Sequence, residues 1–244
     1  MLIINADDLG RNNQATDNII KCFNFRAITS SSAMVFMCDS ERAAEIVSDN
    51  KFEVGLHLNF IEPFSCNTGD IDLNDRLSRI SSYLKKFKWS QLIYNPFLKN
   101  DFLFLFKSQY AEFVRLFKKP PTHIDGHHHM HLCMNALIGG IIPGGMCIRR
   151  NFSFLPGERN ILNRFYRRVI DAWLEKHYRC TDFFYDICPL EVDNKRLIRI
   201  IAISRTNHVE IMTHPEHQKQ YEYLLGEKFL EAISTVKKGS YSSL

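Results

Sequence analysis

Five of the ten histidines in this 244-residue chain fall in one short stretch, Thr122-His123-Ile124-Asp125-Gly126-His127-His128-His129-Met130-His131. Imidazoles and a carboxylate at this density are the donor set of a metal site. Pro120-Pro121 lie before the stretch and an apolar run lies after it, so it reads as a strand that starts after a rigid turn. Alternate side chains of a strand share a face. His123, Asp125, His127, His129 and His131 are thus expected on one side, with Ile124, Gly126, His128 and Met130 on the other. Five polar groups on one strand face carry a large desolvation cost unless they meet water, a metal or one another. The plain alternative is a histidine-rich edge strand facing solvent.

Three further stretches carry chemistry. Leu2-Ile3-Ile4 is the continuous apolar run of a buried parallel strand, and it leads into Asn5-Ala6-Asp7-Asp8-Leu9-Gly10. Two adjacent carboxylates then stand at the carboxyl end of strand one, the edge where parallel α/β folds bind ligands. That pairing suits one carboxylate on a metal and one free to move a proton. One of them could instead cap the helix running to Phe25, but capping uses a single aspartate. Glu53 to Asn59 alternates with period two, setting Val54, Leu56 and Leu58 on one face and Gly55, His57 and Asn59 on the other. His208-Val209-Glu210-Ile211-Met212-Thr213-His214-Pro215 reads as a last strand that brings another histidine to its carboxyl end, with Pro215 ending it.

The elements that must position these residues follow from the same patterns. Residues 28–37 read as strand two, with Ser30-Ser31-Ser32 at its start, and 41–47 as a helix. Residues 60–100 begin without periodicity and continue as a charged helical stretch, which suits a lid, a substrate wall or a surface insertion. Phe106, Tyr110, Phe113 and Phe117 recur at helical spacing and read as core. Leu132 to Ile142 reads as a helix weakened by Gly139-Gly140, and Met146-Cys147-Ile148 as a short strand ending in Arg149-Arg150. An arginine at a strand end can grip a substrate oxygen or a catalytic carboxylate with both prongs, or simply face solvent. Leu162, Phe165, Tyr166, Val169 and Trp173 read as a buried stripe, Phe183-Phe184-Tyr185 as a strand, and 195–203 as a helix. Residues 223–236 read as a final helix and 240–244 as a frayed tail.

Length fits a single α/β domain over residues 1–244, and strand ends that meet at one rim suit a TIM-barrel-like sheet of mostly parallel strands. No apolar run is long enough for a bilayer, and the start lacks the basic and apolar regions of a signal peptide. A cytoplasmic protein without membrane partners is expected. Seven scattered cysteines with no Cys-x-x-Cys spacing read as buried thiols in a reducing compartment. The net charge of +4 is small, and the basic clusters at Lys85-Lys86-Lys88, Lys118-Lys119 and Arg164-Arg167-Arg168 read as solvated helix faces, so nucleic acid is not an expected partner.

One carboxylate and two imidazoles from separate strand ends make a mixed N/O site for a divalent ion with positions open to water. With a carboxylate base and an imidazolium acid, such a site can cleave an amide or ester without a covalent intermediate. Asn5-Ala6-Asp7-Asp8-Leu9-Gly10, Gly55-Leu56-His57-Leu58, Thr122 to His131 and Met212-Thr213-His214-Pro215 resemble, in order and spacing, the four motifs of the YdjC-like carbohydrate deacetylases, the family of the chitooligosaccharide deacetylases. The resemblance implies an irregular (β/α) barrel, a divalent metal that is usually magnesium with zinc as the alternative, removal of an N-acetyl group from an amino sugar or short acetylated oligosaccharide, and frequently a homodimer. It makes Asp8, His57 and His127 the metal ligands, Asp7 the base that takes a proton from metal-bound water, and His214 the acid for the leaving amine. It makes Arg149 a residue that orients Asp7 or the substrate, and Asp125 and His129 groups that orient ligands. Spacing alone leaves His127 and His129 equivalent.

Three departures bear on substrate choice: Met212-Thr213-His214-Pro215-Glu216 where the family often has Cys and a small residue, Asn59-Phe60-Ile61-Glu62 in place of a Thr-containing stretch, and the glycine-rich turn at 139–145. A metal-dependent phosphoesterase and a non-catalytic sugar-binding protein are the competing readings. The phosphoesterase would need a second metal and more basic side chains around a phosphate.

Overall fold

A computed structural model of the chain describes residues 1–48, 52–66, 69–87, 89–155, 161–188 and 194–244. It is an α/β fold, as expected, whose strands are β1 Leu2–Leu9, β2 Ser30–Ala33, β3 Glu53–Leu58, β4 Ile124–Gly126, β5 Phe183–Asp186 and β6 Val209–Thr213. They are hydrogen-bonded in the order β4-β3-β2-β1-β6-β5. The helices are α1 Asn13–Asn24, α2 Ser40–Ser48, α3 Ile71–Lys85, α4 Lys99–Phe117, α5 Met134–Ile138, α6 Ile161–His177, α7 Asn194–Ser204, α8 Gln218–Leu225 and α9 Glu227–Ser234. The chain divides into two compact units, one of residues 1–7, 14–31 and 147–244, the other of 8–13 and 32–146.

In the first unit, β6 pairs in parallel with β1 (Leu2 opposite Val209 through Ala6 opposite Thr213) and with β5 (Phe183 opposite Val209 through Asp186 opposite Met212). Every residue of β1 is buried, as its apolar start requires. The polar residues that follow need partners there, and they have them: the Ser30 hydroxyl donates to Asn5 Oδ1 (2.8 Å) and the Thr213 hydroxyl to Asn5 O (3.2 Å).

Several readings are corrected by the structure. The tail does not fray: residues 241–243 form a 3-10 turn, and Tyr241, with no exposure, packs against Ile3 and Cys147. The final helix is two, because Gly226 leaves the helical conformation (ψ 140°) and its N–H turns back to Tyr223 O at 3.1 Å. Met146 to Ile148 contributes only the bridge between Cys147 and Arg179.

The α6 stripe is also rotated. Phe165 is 67% exposed and Val169 52%, while Asp171, Leu174 and Tyr178 are buried. A polar anchor decides the inward face: Asp171 accepts from the Asn151 N–H at 3.1 Å and pairs with Arg150 at 3.1 Å, so Phe165 and Val169, on the far side of the helix from it, face out. The side chain of Leu162 lies outside the described residues, as do Asn67, Thr68 and Lys88. The cysteines are not uniformly buried: Cys22, Cys133 and Cys147 are, whereas Cys38 and Cys188 are exposed.

In the second unit, β3 and β4 pair in parallel, with Leu56, His57 and Leu58 opposite Ile124, Asp125 and Gly126. Helix α4 buries Phe106, Phe113 and Phe117 of the expected stripe, while Tyr110 is only partly buried; Phe102, also buried, meets Phe60 edge-on at 4.9 Å. Helix α3 starts where Asp70 accepts from the Leu73 N–H (3.0 Å).

The histidine stretch is not one strand. β4 ends at Gly126, and His127–Leu132 is a 3-10 segment in which His128 (φ 52°) and His129 (φ 59°) take left-handed backbone. That conformation ends the alternation, so the expected row of five on one face does not exist. The helix expected to Ile142 stops at Ile138, as the glycine pair after it favours.

Gly55 shows how tightly β3 and β4 are built. A Cβ there would stand 2.3 Å from the ring of His123, which is fully buried. Gly55→Ala is therefore expected to displace β4 and cost about 1–3 kcal/mol of stability, read as a lower denaturation midpoint. A midpoint equal to wild type would show that His123 has room the structure does not give it.

Candidate functional site

The second unit brings three of the expected residues to one point. Asp8 sits in left-handed backbone (φ 72°), a conformation that aspartate tolerates better than most residues. Its Oδ1 lies 3.3 Å from His57 Nε2 and 3.2 Å from His127 Nδ1. The Asp8, His57 and His127 donor atoms all lie within 4.8 Å of one another, and all three residues are buried. An ion about 2.0–2.2 Å from each of three donors holds neighbouring donors roughly 3–3.5 Å apart, so the gaps here suit a divalent cation. The two rings stand 5.6 Å apart at 73°. Buried His/Asp groups of this kind could hold a divalent metal.

Each ring nitrogen that faces away from Asp8 has its own carboxylate. His57 Nδ1 is 2.8 Å from Asp125 Oδ1, whose other oxygen accepts from the Ser32 hydroxyl at 2.8 Å. His127 Nε2 is 2.9 Å from Glu62 Oε2. Glu62 also pairs with Arg11 at 3.1 Å, and Arg11 reaches Asp8 at 3.6 Å. His127 rather than His129 meets Asp8. The ring of His129 lies 6.3 Å from that of His131, and His129 is not among the groups that converge there. The ring of His128 lies 4.3 Å from that of His127; partial burial first, then the neighbouring His127, lowers its pKa.

The first unit assembles a different group. Arg149 has no exposure, and its two terminal nitrogens donate to both oxygens of Asp7 at 2.6 and 2.7 Å. Its Nε donates to Glu210 Oε1 at 2.8 Å, and the other Glu210 oxygen accepts the Tyr241 hydroxyl. The Phe184 ring lies 5.0 Å from the guanidinium carbon. Asn5 Nδ2 donates to Asp7 Oδ1 at 2.9 Å. Asp7 is thus held in one orientation by fixed donors.

His214, just past β6, is only partly buried. Its Nε2 stands 3.9 Å from Asp7 Oδ2, and its backbone N–H donates to Gln220 Oε1 at 2.6 Å. Sequence reasoning missed Glu62, Glu210, Gln220 and Tyr241. A glutamate between Val209 and Ile211 in an otherwise apolar strand was a signal for Glu210; the others carry none without the fold.

No helix among the described residues is long and apolar enough to cross a membrane. A family model described as YdjC-like protein matches residues 1–235. The chain is 29% identical over 135 residues to a chitooligosaccharide deacetylase of Yersinia enterocolitica, covering 54% of this chain and 51% of that one. It is 31% identical, with the same coverage, to chitooligosaccharide deacetylase of Yersinia pestis. The chain thus spans about half the length of the curated relatives it matches. Among solved structures it is similar to a "putative cellobiose-phosphate cleavage protein" from Enterococcus faecalis V583, with a TM-score of 0.71 and 19% identity, covering 99% of this chain and 97% of that chain. At that identity the likeness is one of fold.

Proposed function

We propose that this chain, which belongs to the YdjC-like family, is a metal-dependent carbohydrate deacetylase that removes the N-acetyl group from an amino sugar or a short acetylated oligosaccharide. The observation that carries the reading is the convergence of Asp8 Oδ1, His57 Nε2 and His127 Nδ1 at 3.2–3.3 Å, with the next carboxylate in the chain, Asp7, gripped by a buried arginine. In this reading Asp8, His57 and His127 hold the ion. Magnesium is what the family resemblance implies; two imidazoles in the donor set make zinc the alternative. When bound, the ion polarises the acetyl carbonyl and acidifies water, worth several kcal/mol of barrier as an order of magnitude.

Everything else falls to the protein's own groups. Asp7 takes the proton from the attacking water, and the two-pronged hold of Arg149 keeps its carboxylate from turning away. His214, which no arginine locks, gives a proton to the departing amine, and proton transfers of this kind contribute about 10²- to 10⁴-fold. Asp125 fixes the ring of His57. His129, whose ring lies 6.3 Å from that of His131, keeps the ligand-orienting role that the resemblance implies. A homodimer, on the family resemblance, and a cytoplasmic location, on the scattered cysteines without Cys-x-x-Cys spacing, remain part of the proposal.

The test is acetate release from N-acetylglucosamine oligomers by protein stripped with a chelator. Release should return on adding magnesium or zinc and be absent without an ion. Cleavage of a chromogenic phosphate ester, with no acetate from any oligomer, would replace this reading by a phosphoesterase.

A further inference from the structure

The loop after β3 ends in a contact that the reaction chemistry above does not use. We propose that Glu62 is a positioning residue for the ion: it holds His127 in the tautomer with its proton on Nε2, which turns the Nδ1 lone pair toward the point that Asp8 and His57 share. The inference rests on the reading that these residues bind a divalent ion. A neutral imidazole has one donor nitrogen and one acceptor nitrogen, and a carboxylate only accepts. Asp8 is a carboxylate too, but with an ion between it and Nδ1 only Glu62 Oε2, 2.9 Å from Nε2, is left to accept the ring proton. Asp125 stands in the same relation to His57, at 2.8 Å from its Nδ1. Both imidazoles then have the carboxylate–histidine arrangement that fixes ligand orientation and raises ligand basicity.

The backbone delivers Glu62 with little freedom. Asn59 Oδ1 accepts the N–H groups of Ile61 (3.1 Å) and Glu62 (2.8 Å), and Asn59 Nδ2 donates to Glu62 O (2.6 Å). Asn59 is itself clamped by Gln109 on α4, which accepts from its N–H at 2.8 Å and donates to its carbonyl at 2.9 Å. Both residues are fully buried. An ion pair between Arg11 and Glu62, both partly buried, would need none of this construction.

The experiment measures ion binding without substrate. Metal-free full-length protein is titrated with zinc against a competing chelator, beside Glu62→Ala and Glu62→Gln. Glu62→Ala should raise the zinc Kd by about 10- to 100-fold. Glu62→Gln, whose amide oxygen still accepts from Nε2–H, should stay within about threefold of wild type. Nitrogen-15 histidine spectra of the zinc-loaded wild type should show His127 protonated on Nε2. Wild-type affinity in Glu62→Ala, or a His127 proton on Nδ1, overturns the proposal. So does a Glu62→Gln variant as weak as the alanine, which would point to charge near the ion instead of a tautomer. A wild type that binds no zinc refutes the metal-centre reading itself, a separate result from the failure of Glu62 alone.

Discussion

An Asp7→Asn variant is expected to lose turnover, with kcat falling by about 10²- to 10⁴-fold, while its affinity for a divalent ion stays near that of wild type. Asparagine keeps the shape and one of the oxygens that Arg149 holds, but it cannot take a proton. Because Asp8 Oδ1 lies 3.2–3.3 Å from both His57 and His127, ion binding is expected to survive the change. Loss of ion affinity in Asp7→Asn would mean that Asp7 is a ligand and that the division of labour between the adjacent carboxylates is wrong. The companion variant separates acid from base. His214→Ala should be impaired on an acetylated amine but nearly unimpaired on an activated aryl acetate, whose leaving group needs no proton. Equal impairment on both substrates would remove His214 from the role of acid.

Arg149→Met is expected to be the most destabilising single change in the molecule. It leaves Asp7 and Glu210 buried with no cation between them, and breaking a buried charge pair from one side costs about 3–5 kcal/mol. For a chain of this length that is a fall in Tm of roughly 6–20 °C. The cost is local to the charges: Tyr241→Phe, which removes only the hydroxyl donated to Glu210, should cost about 1–3 kcal/mol. A thermal scan of the three proteins checks both. A Tm for Arg149→Met within about two degrees of wild type would mean that water enters and solvates the two carboxylates, and that Asp7 is not held as rigidly as its two short contacts indicate.

The parts of the fold that could be read from the sequence are those where one physical rule acts alone. Leu2-Ile3-Ile4 had to be a buried strand. His57 followed from strict alternation, and the phenylalanines of α4 from helical spacing. The readings that missed are those where a second, non-local term wins. Asp171 is anchored by Arg150 and Asn151, so α6 turns Phe165 and Val169 to solvent. Tyr241 is buried because the far end of the chain meets Ile3 and Glu210, which no local pattern announces. The histidine stretch is the clearest case. Alternation predicts a single face, but His128 and His129 adopt left-handed backbone and break it, so that His127 meets Asp8 and His129 does not.

At the site, the residue types and strand ends were legible and the supporting carboxylates only partly so. Asp125 was visible because it shares a strand with the histidines. Glu62 lies in a loop whose conformation depends on Asn59 and on Gln109, fifty residues away in the chain. Glu210 could be suspected as a charge inside an apolar strand, but its purpose needs Arg149 in view.

The most direct test of the account is anomalous scattering from crystals of the protein grown with zinc. The account predicts a peak about 2.0–2.2 Å from a carboxylate oxygen of Asp8, Nε2 of His57 and Nδ1 of His127. A peak bound instead through His129 and His131, or none at Asp8 under saturating zinc, would contradict it.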